Sequence, residues 1–475
     1  MASRISLSGS EWHIRKDEIN PEDFLAGAPL TGGRHGWVRA LVPGNIQSDL
    51  ETAHIFKPLW YGVGDPALAD AARHDWWYCR DFDINGTDPD QRVHLVFGGV
   101  DEDCEVWLNG VRIGGHAGMY QQFWFEVSDT IQREEKNRII VKLNRMPEVL
   151  VPSLIASDGA YSGGKTPYNF IQGVNRTRQV LKRLKSPTNF SYDWGTNIWT
   201  LGIWKDVCLE ITGAARIAWI QVSSRLNGSH REASVPVSIE VDSDRDLDCR
   251  TVFILSGNGA DESIAQLVSL KKGNNRIEAV LTVHNPTLWW PCGQGEQPLY
   301  TVEARLEDMA AQVIDSKTVR TGIREIRWEQ VEGAPEDFIN PFRLIVNGRP
   351  VRTMGSNLVP PDLLFGRIME RGPRLLQLAK AAGINTLRLW GGGVILPEGM
   401  YDLADELGIL LFQEFPMANC LPERDKEFLV NLEDTVRNIV RQIRNHPSII
   451  EWSGGNEMAW VQGTDHPALH VMERV

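Results

Sequence analysis

The sequence is poor in cysteine, has no basic cluster and lacks a long apolar run, and each shortage removes a class of protein. Its six cysteines among 475 residues, Cys79, Cys104, Cys208, Cys249, Cys292 and Cys420, stand far apart. They have neither the paired spacing of a zinc site nor the density of a disulfide framework, so they read as free, buried thiols in a reduced protein. No cofactor and no metal is assigned. Lys and Arg total 49 against 62 Asp and Glu, a formal charge of −13, and no Lys/Arg stripe interrupts that excess. Nucleic acid is excluded as a partner on that ground. No run approaches the ~18 apolar residues of a membrane-spanning helix, and Met1 to Ser10 lack the charged-then-apolar order of an export segment. A cytoplasmic location with no membrane partner is the expectation. Four Asn-x-Ser/Thr sequons, at Asn85, Asn175, Asn189 and Asn227, match chance frequency and carry no weight.

What is present is an ordinary globular balance, 42% hydrophobic and 23% charged. The length predicts about three domains of roughly 150 residues each. Trp is in excess, 17 against 8 Tyr. Indoles serve as buried anchors or as platforms for sugars, and most are assigned here to cores and domain interfaces. Only those at strand ends are read functionally.

Residues 1–213 read as short alternating strands, among them Arg92–Phe97, Cys104–Leu108 and Ile139–Leu143. Asn109-Gly110 closes a hairpin because both residues tolerate positive φ. The pattern predicts an all-β sandwich or jelly roll, and Ser157 to Pro187, without periodicity, reads as a long functional loop. Residues 214–325 repeat the strand pattern at Ala218–Val222, Val235–Val241, Thr251–Leu255, Arg276–Leu281 and Tyr300–Leu306, which predicts a second, smaller sandwich acting as a spacer.

In residues 326–475 the period changes. Four apolar strands are expected near Arg352–Leu358, Ile384–Trp390, Ile409–Phe415 and Ser448–Trp452, joined by helices over Arg371–Ala382, Glu398–Leu407 and Lys426–Arg444. Gly383 and Gly408 supply helix stops, and Pro447 ends the third helix. Strand, helix, strand in this order predicts parallel strands with helical crossovers, buried on both faces. In such folds the chemistry lies at the carboxyl ends of the strands.

Those ends carry Asn357, Trp390, Glu414, Asn456 and Glu457. The set offers carboxylates, amides and an indole, and no activated Ser, Cys/His pair or phosphate loop. It suits cleavage of glycosidic bonds, in which one carboxylic acid protonates the leaving oxygen and a second carboxylate attacks or activates water. A helix-capping role for Glu457 is the alternative.

Five stretches occur in order: Leu288-Trp289-Trp290-Pro291 with Gly295 to Tyr300, Gly355 to Pro360, Leu387 to Gly393, Tyr401 to Gly408, and His446-Pro447-Ser448-Ile449-Ile450 leading to Asn456-Glu457. Together with Tyr192-Asp193-Trp194-Gly195 and Gly202-Ile203-Trp204, they make the chain resemble the N-terminal part of a glycoside hydrolase family 2 enzyme, most similar to the β-mannosidase branch. The resemblance implies a multidomain fold, β plus α/β: a jelly-roll sugar-binding-like domain, an immunoglobulin-like β-sandwich and the first half of a (β/α)8 TIM barrel. It implies an exo-acting retaining β-glycosidase that removes terminal β-D-mannose from an oligosaccharide or small β-glycoside. Glu457 would be the general acid/base and Asn456 would hold the sugar 2-hydroxyl. Asp193 would contact the outer hydroxyls, Trp390 and Trp460 would wall the pocket, and Trp194 would brace the Asp193 loop or simply pack. Ser453-Gly454-Gly455, Tyr192 and Thr196 depart from the β-mannosidase pattern. Exo-β-glucosaminidase, β-galactosidase and β-glucuronidase types therefore remain alternatives, as does a non-catalytic carbohydrate-binding protein.

Retention requires a second carboxyl about 5–5.5 Å from the first, and the resemblance places that nucleophile about a hundred residues beyond the acid/base. The chain is accordingly expected to be truncated and inactive alone. Glu414 is expected at the same mouth, with no role assigned, and a homo-oligomer is left open.

Overall fold

The computed structural model describes residues 3–16, 19–23, 36–56, 71–145, 184–186, 188, 198–335, 342–418, 424–458 and 465–475. Most of the Ser157–Pro187 segment, and Asp193, Trp194 and Trp460, lie outside the described residues.

The first unit stacks two antiparallel sheets. One has the order Ser3–Ser6, Val207–Thr212, Arg92–Phe97, Phe123–Glu126, and the other Val38–Val42, Gly9–Arg15, Trp76–Phe82, Asn137–Leu143, Asp103–Leu108, Val111–Ala117. Alternation puts Val106 and Leu108 into the shared core with Trp12, Phe97 and Val141. Asn109 and Gly110 adopt φ of 53° and 83°, as the hairpin between Asp103–Leu108 and Val111–Ala117 requires. The second unit is a sandwich of Ala215–Val222, Glu232–Ser243 and Gly273–His284 against Ala260–Leu270, Leu247–Gly257, Tyr300–Glu307 and Val313–Thr321. Ala260–Leu270 and Val313–Thr321 escaped the sequence pattern. Ala260–Leu270 is an edge strand exposed along most of its length, so no apolar alternation marks it.

In the third unit a small antiparallel sheet, Ile326–Glu329, Arg343–Val346 and Arg349–Val351, leads into a parallel one. Its strands are β1 (Gly355–Leu358), β2 (Thr386–Leu389), β3 (Leu410–Glu414) and β4 (Ile449–Ser453), and they pair in that order. The crossovers are α1 (Ile368–Ala381), α2 (Glu398–Leu407) and α3 (Lys426–Ile443), and Pro467–Arg474 forms a fourth helix, α4. Asp425 caps α3 by accepting from Phe428 N–H, and Gly408 ends α2 at φ 73°. The expectation of strands buried on both faces fails at β1, where Gly355, Ser356 and Asn357 are exposed; among the described residues this strand pairs only with β2.

Helix α3 joins all three units. Phe428, Leu432, Val436, Ile439 and Ile443 enter the barrel core, each worth about 1.5–3 kcal/mol on burial. Its polar face is docked. Thr435 accepts from Gln121, Asn438 takes both the N–H and the C=O of Gln122, and Gln442 donates to Tyr120 O, all in the first unit. Arg441 pairs with Glu240 of the sandwich at 2.6 Å. Asn445, just beyond the helix, bonds Val222 N–H and Ile220 O.

The turn before β4 is held as firmly. Arg324 donates to Pro447 O at 2.6 Å and Ile449 O at 2.7 Å. The buried His446 Nδ1 lies 2.6 Å from Asp405 Oδ2, its ring stacks on Tyr401, and Asp405 Oδ1 accepts from Ser448 N–H. Trp289, from the Leu288 to Pro291 motif, donates to Asp405 O. Burial alone would lower the His446 pKa, but the hydrogen bond and charge of Asp405, with Asp402 and Glu398 beyond, raise it. A raised folded value stabilises fully below the unfolded value of about 6.5 and is lost as pH rises through the folded value. The urea midpoint should therefore fall as pH rises above about 6.5, and His446→Gln should flatten that slope; equal slopes in both proteins would refute the assignment.

Candidate active site

The four barrel strands end at one mouth, and a single guanidinium ties their ends together. Arg388 sits on β2, with Thr386 and Trp390 on the face opposite the buried Leu387 and Leu389. Its Nε and Nη2 donate to Glu414 Oε1 of β3 at 3.1 and 2.7 Å. Nη1 donates to Asn357 Oδ1 of β1 at 3.1 Å, and Nη2 to Asn456 Oδ1, past the end of β4, at 2.7 Å. A guanidinium has donors only, so it selects the oxygen of each amide and turns the Asn456 NH2 away from itself.

Glu414, given no role by the sequence, is the buried ionic partner of Arg388. It is 3% exposed, and both carboxylate oxygens are engaged, Oε1 with Arg388 and Oε2 with Gly391 N–H at 2.7 Å. It braces Arg388 from behind. Arg388 itself was missed as a site residue, although a lone charge inside Ile384–Trp390 was the available signal: such a charge needs a buried partner or a cavity.

After β4 the chain turns through Gly454 and Gly455. Gly455 has φ 113°, and a Cβ there would lie 2.5 Å from Met417 O, so only glycine permits the approach. Asn456 N–H then donates to Met417 O at 2.9 Å, forming a parallel bridge with Ala418. Asn456 is thereby fixed at both backbone and side chain. Glu457 follows in the left-handed region at φ 54°, with its side chain exposed at the mouth. Non-glycine residues held there are uncommon and concentrate at functional sites. Trp390 is half-buried on the same rim, and the Gly391 that follows it approaches Asn456 N closely. The structure therefore brings Asn357, Arg388, Glu414 and Asn456 together through hydrogen bonds, with Trp390 and Glu457 beside them in the chain, while Asp193, Trp194 and Trp460 lie outside the described residues.

Among the described residues one group has the composition of a metal site, Asp402, Asp405 and His446, whose ligand atoms lie within 4.8 Å of one another. Asp405 already serves His446 and Ser448, and Asp402 is bound by Arg320 at 2.9 Å. The group works as a structural clamp remote from the mouth.

Two β-sandwich units ahead of a β/α barrel, with a carboxylic acid and an amide side by side after the fourth strand, define a carbohydrate-active class of proteins. Family models match along nearly the whole chain: the glycosyl hydrolase 2 galactose-binding domain-like model over residues 12–205, the glycosyl hydrolases family 2 model over 215–324, and its TIM barrel domain over 339–474. The chain belongs to glycoside hydrolase family 2. It is 28% identical to the β-mannosidase of Bos taurus over 436 residues, covering 88% of this chain and 47% of that protein. The β-mannosidase A of Aspergillus terreus is 28% identical over 459 residues, covering 90% and 49%. The solved β-D-mannosidase of Dictyoglomus thermophilum superposes with TM-score 0.77 at 28% identity, over 96% of this chain and 53% of that one. The exo-chitosanase of Amycolatopsis orientalis shares the fold, with TM-score 0.76 at 19% identity. The chain spans about half the length of the curated relatives it matches.

The Arg388 network sets the expected stability effects. Arg388→Met strands the buried Glu414 charge and should cost about 3 kcal/mol, the low end for a broken buried pair because the Arg388 side chain is partly open to water. Arg388→Met with Glu414→Gln should recover part of that loss in urea titration, whereas additive losses would show that the two do not act as a pair.

Proposed function

We propose that this chain supplies the sugar-recognising part and the general acid/base of an exo-acting, retaining β-glycosidase, and that its substrate is a terminal β-D-mannoside. The observation that carries the reading is the Asn456-Glu457 pair after β4, in which Met417 and Arg388 hold Asn456 and the Gly391 turn that follows Trp390 packs close to its backbone nitrogen. Similarity to β-mannosidases at 28% identity supports the choice of sugar.

In this reading Glu457 gives a proton to the glycosidic oxygen as the bond to the anomeric carbon breaks. Asn456, its oxygen engaged by Arg388, offers N–H to the sugar 2-hydroxyl. Trp390 presents an apolar face to the C–H groups of the ring. The nucleophile, a second carboxylate about 5–5.5 Å from Glu457, is placed by the family resemblance about a hundred residues beyond the acid/base, and Glu414, committed to Arg388 and Gly391, does not fill that role. The nucleophile forms a covalent glycosyl-enzyme, and Glu457, now ionised, takes a proton from the water that hydrolyses it.

The polypeptide produced from the whole reading frame at the locus should hydrolyse an aryl β-D-mannoside in preference to the corresponding glucosaminide, galactoside or glucuronide. Glu457→Gln should lower kcat by about 10²–10⁴, the usual contribution of a positioned proton donor. Mannoside affinity without turnover would instead identify a binding protein, and turnover indifferent to Glu457→Gln would remove the acid/base assignment.

A further inference from the structure

A buried ion pair in the first unit holds a short segment against the turn that carries Trp390. Lys185 and Asp101 are 4% and 0% exposed and form a direct salt bridge. Lys185 Nζ also donates to Thr200 O at 3.1 Å, and Thr200 Oγ1 donates to the other carboxylate oxygen of Asp101 at 2.7 Å. Asp101 itself is anchored by reciprocal backbone bonds with Gly202, at 2.8 and 3.0 Å. One carboxylate thus fastens two chain positions, Lys185 and Thr200, that flank Asp193 in the sequence.

Three residues past the ion pair, the segment meets the barrel. Thr188 N–H donates to Gly392 O at 3.1 Å, the Thr188 hydroxyl donates to the same oxygen, and Ser186 Oγ lies 3.5 Å from it. Tyr120 OH reaches Gly393 O at 3.5 Å. Gly392 is held from its other side by the indole: a Cβ on Gly392 would lie 2.0 Å from the six-membered ring of Trp390. Its Cα therefore forms the surface on which Trp390 rests, and its carbonyl is the point where the first unit grips the turn.

We propose that Asp101, Lys185 and Thr188 are positioning residues for the sugar-binding wall: the buried pair sets where Thr188 stands, Thr188 sets Gly392, and Gly392 sets the plane of the Trp390 indole. The inference rests on the proposed sugar-binding role of Trp390. A buried charge pair suits this task because its geometry is narrow and removing either partner leaves a desolvated charge, so the segment has one favourable placement. Thr188 and Trp390 then form a continuous contact between a β domain and the barrel rim, and the terminal sugar is gripped by a wall that the first unit orients.

The test is amide hydrogen exchange together with tryptophan fluorescence, read on this chain without any substrate. In Thr188→Val, exchange in a peptide spanning residues 390–393 should rise at least about fivefold while peptides from β3 and β4 stay within twofold of the parent. The Trp390 contribution to the emission, taken as the difference from Trp390→Phe, should shift to longer wavelength. Thr188→Ser, which keeps the hydroxyl, should restore both readouts, and Asp101→Asn should reproduce the Thr188→Val pattern. Unchanged exchange at 390–393, or an equal rise throughout β2 to β4, would overturn the proposal. Neither readout uses catalysis, so an inactive Glu457 variant and a failed positioning test are told apart.

Discussion

Five donors on one guanidinium decide the shape of the barrel mouth. Arg388 reaches β1 through Asn357, β3 through Glu414 and the end of β4 through Asn456, so four strands converge on a single planar group. The arrangement holds only because Glu414 is buried behind it and balances the charge. A Lys at this place would provide a point charge on a flexible stem and lose the fork that reads three oxygens at once. Everything proposed for Asn456 depends on this fork, since a free amide could turn either end toward a sugar.

The rest of the molecule is arranged so that this mouth is not built by the barrel alone. Helix α3 buries an apolar face among the strands and gives its polar face to both β units, through Gln121, Gln122, Tyr120 and Glu240. On the far side of the sheet, Arg324 and the His446–Asp405 pair hold the turn into β4. On the near side, Thr188 and Tyr120 close on the glycine turn after β2. Contacts from separate units therefore locate both β4, which leads to Asn456 and Glu457, and the turn that carries Trp390.

Much of the fold could be read from the sequence because its causes are local. Apolar alternation marks Arg92–Phe97 and Tyr300–Glu307, Gly408 ends α2 where an αL residue is needed, and Asn109-Gly110 makes its hairpin. Where the pattern gave no warning, burial had changed its meaning. The strand Ala260–Leu270 is exposed, and the polar residues of α3 form an interface.

The sequence by itself determined which chemical groups stand after the barrel strands: Trp390, Glu414, Asn456 and Glu457 follow from strand ends that periodicity locates. Tertiary structure alone decided what those groups do to one another. Whether Glu414 faces a pocket or a half-buried Arg, whether Arg388 is solvated or shared among strands, and whether Asp101 and Lys185 meet are matters of contacts across the fold, separated by 26, 68 and 84 residues for Glu414, Asn456 and Asp101 and their respective partners. Periodicity reports which face a residue takes on its own element; it holds no record of which distant group will stand opposite.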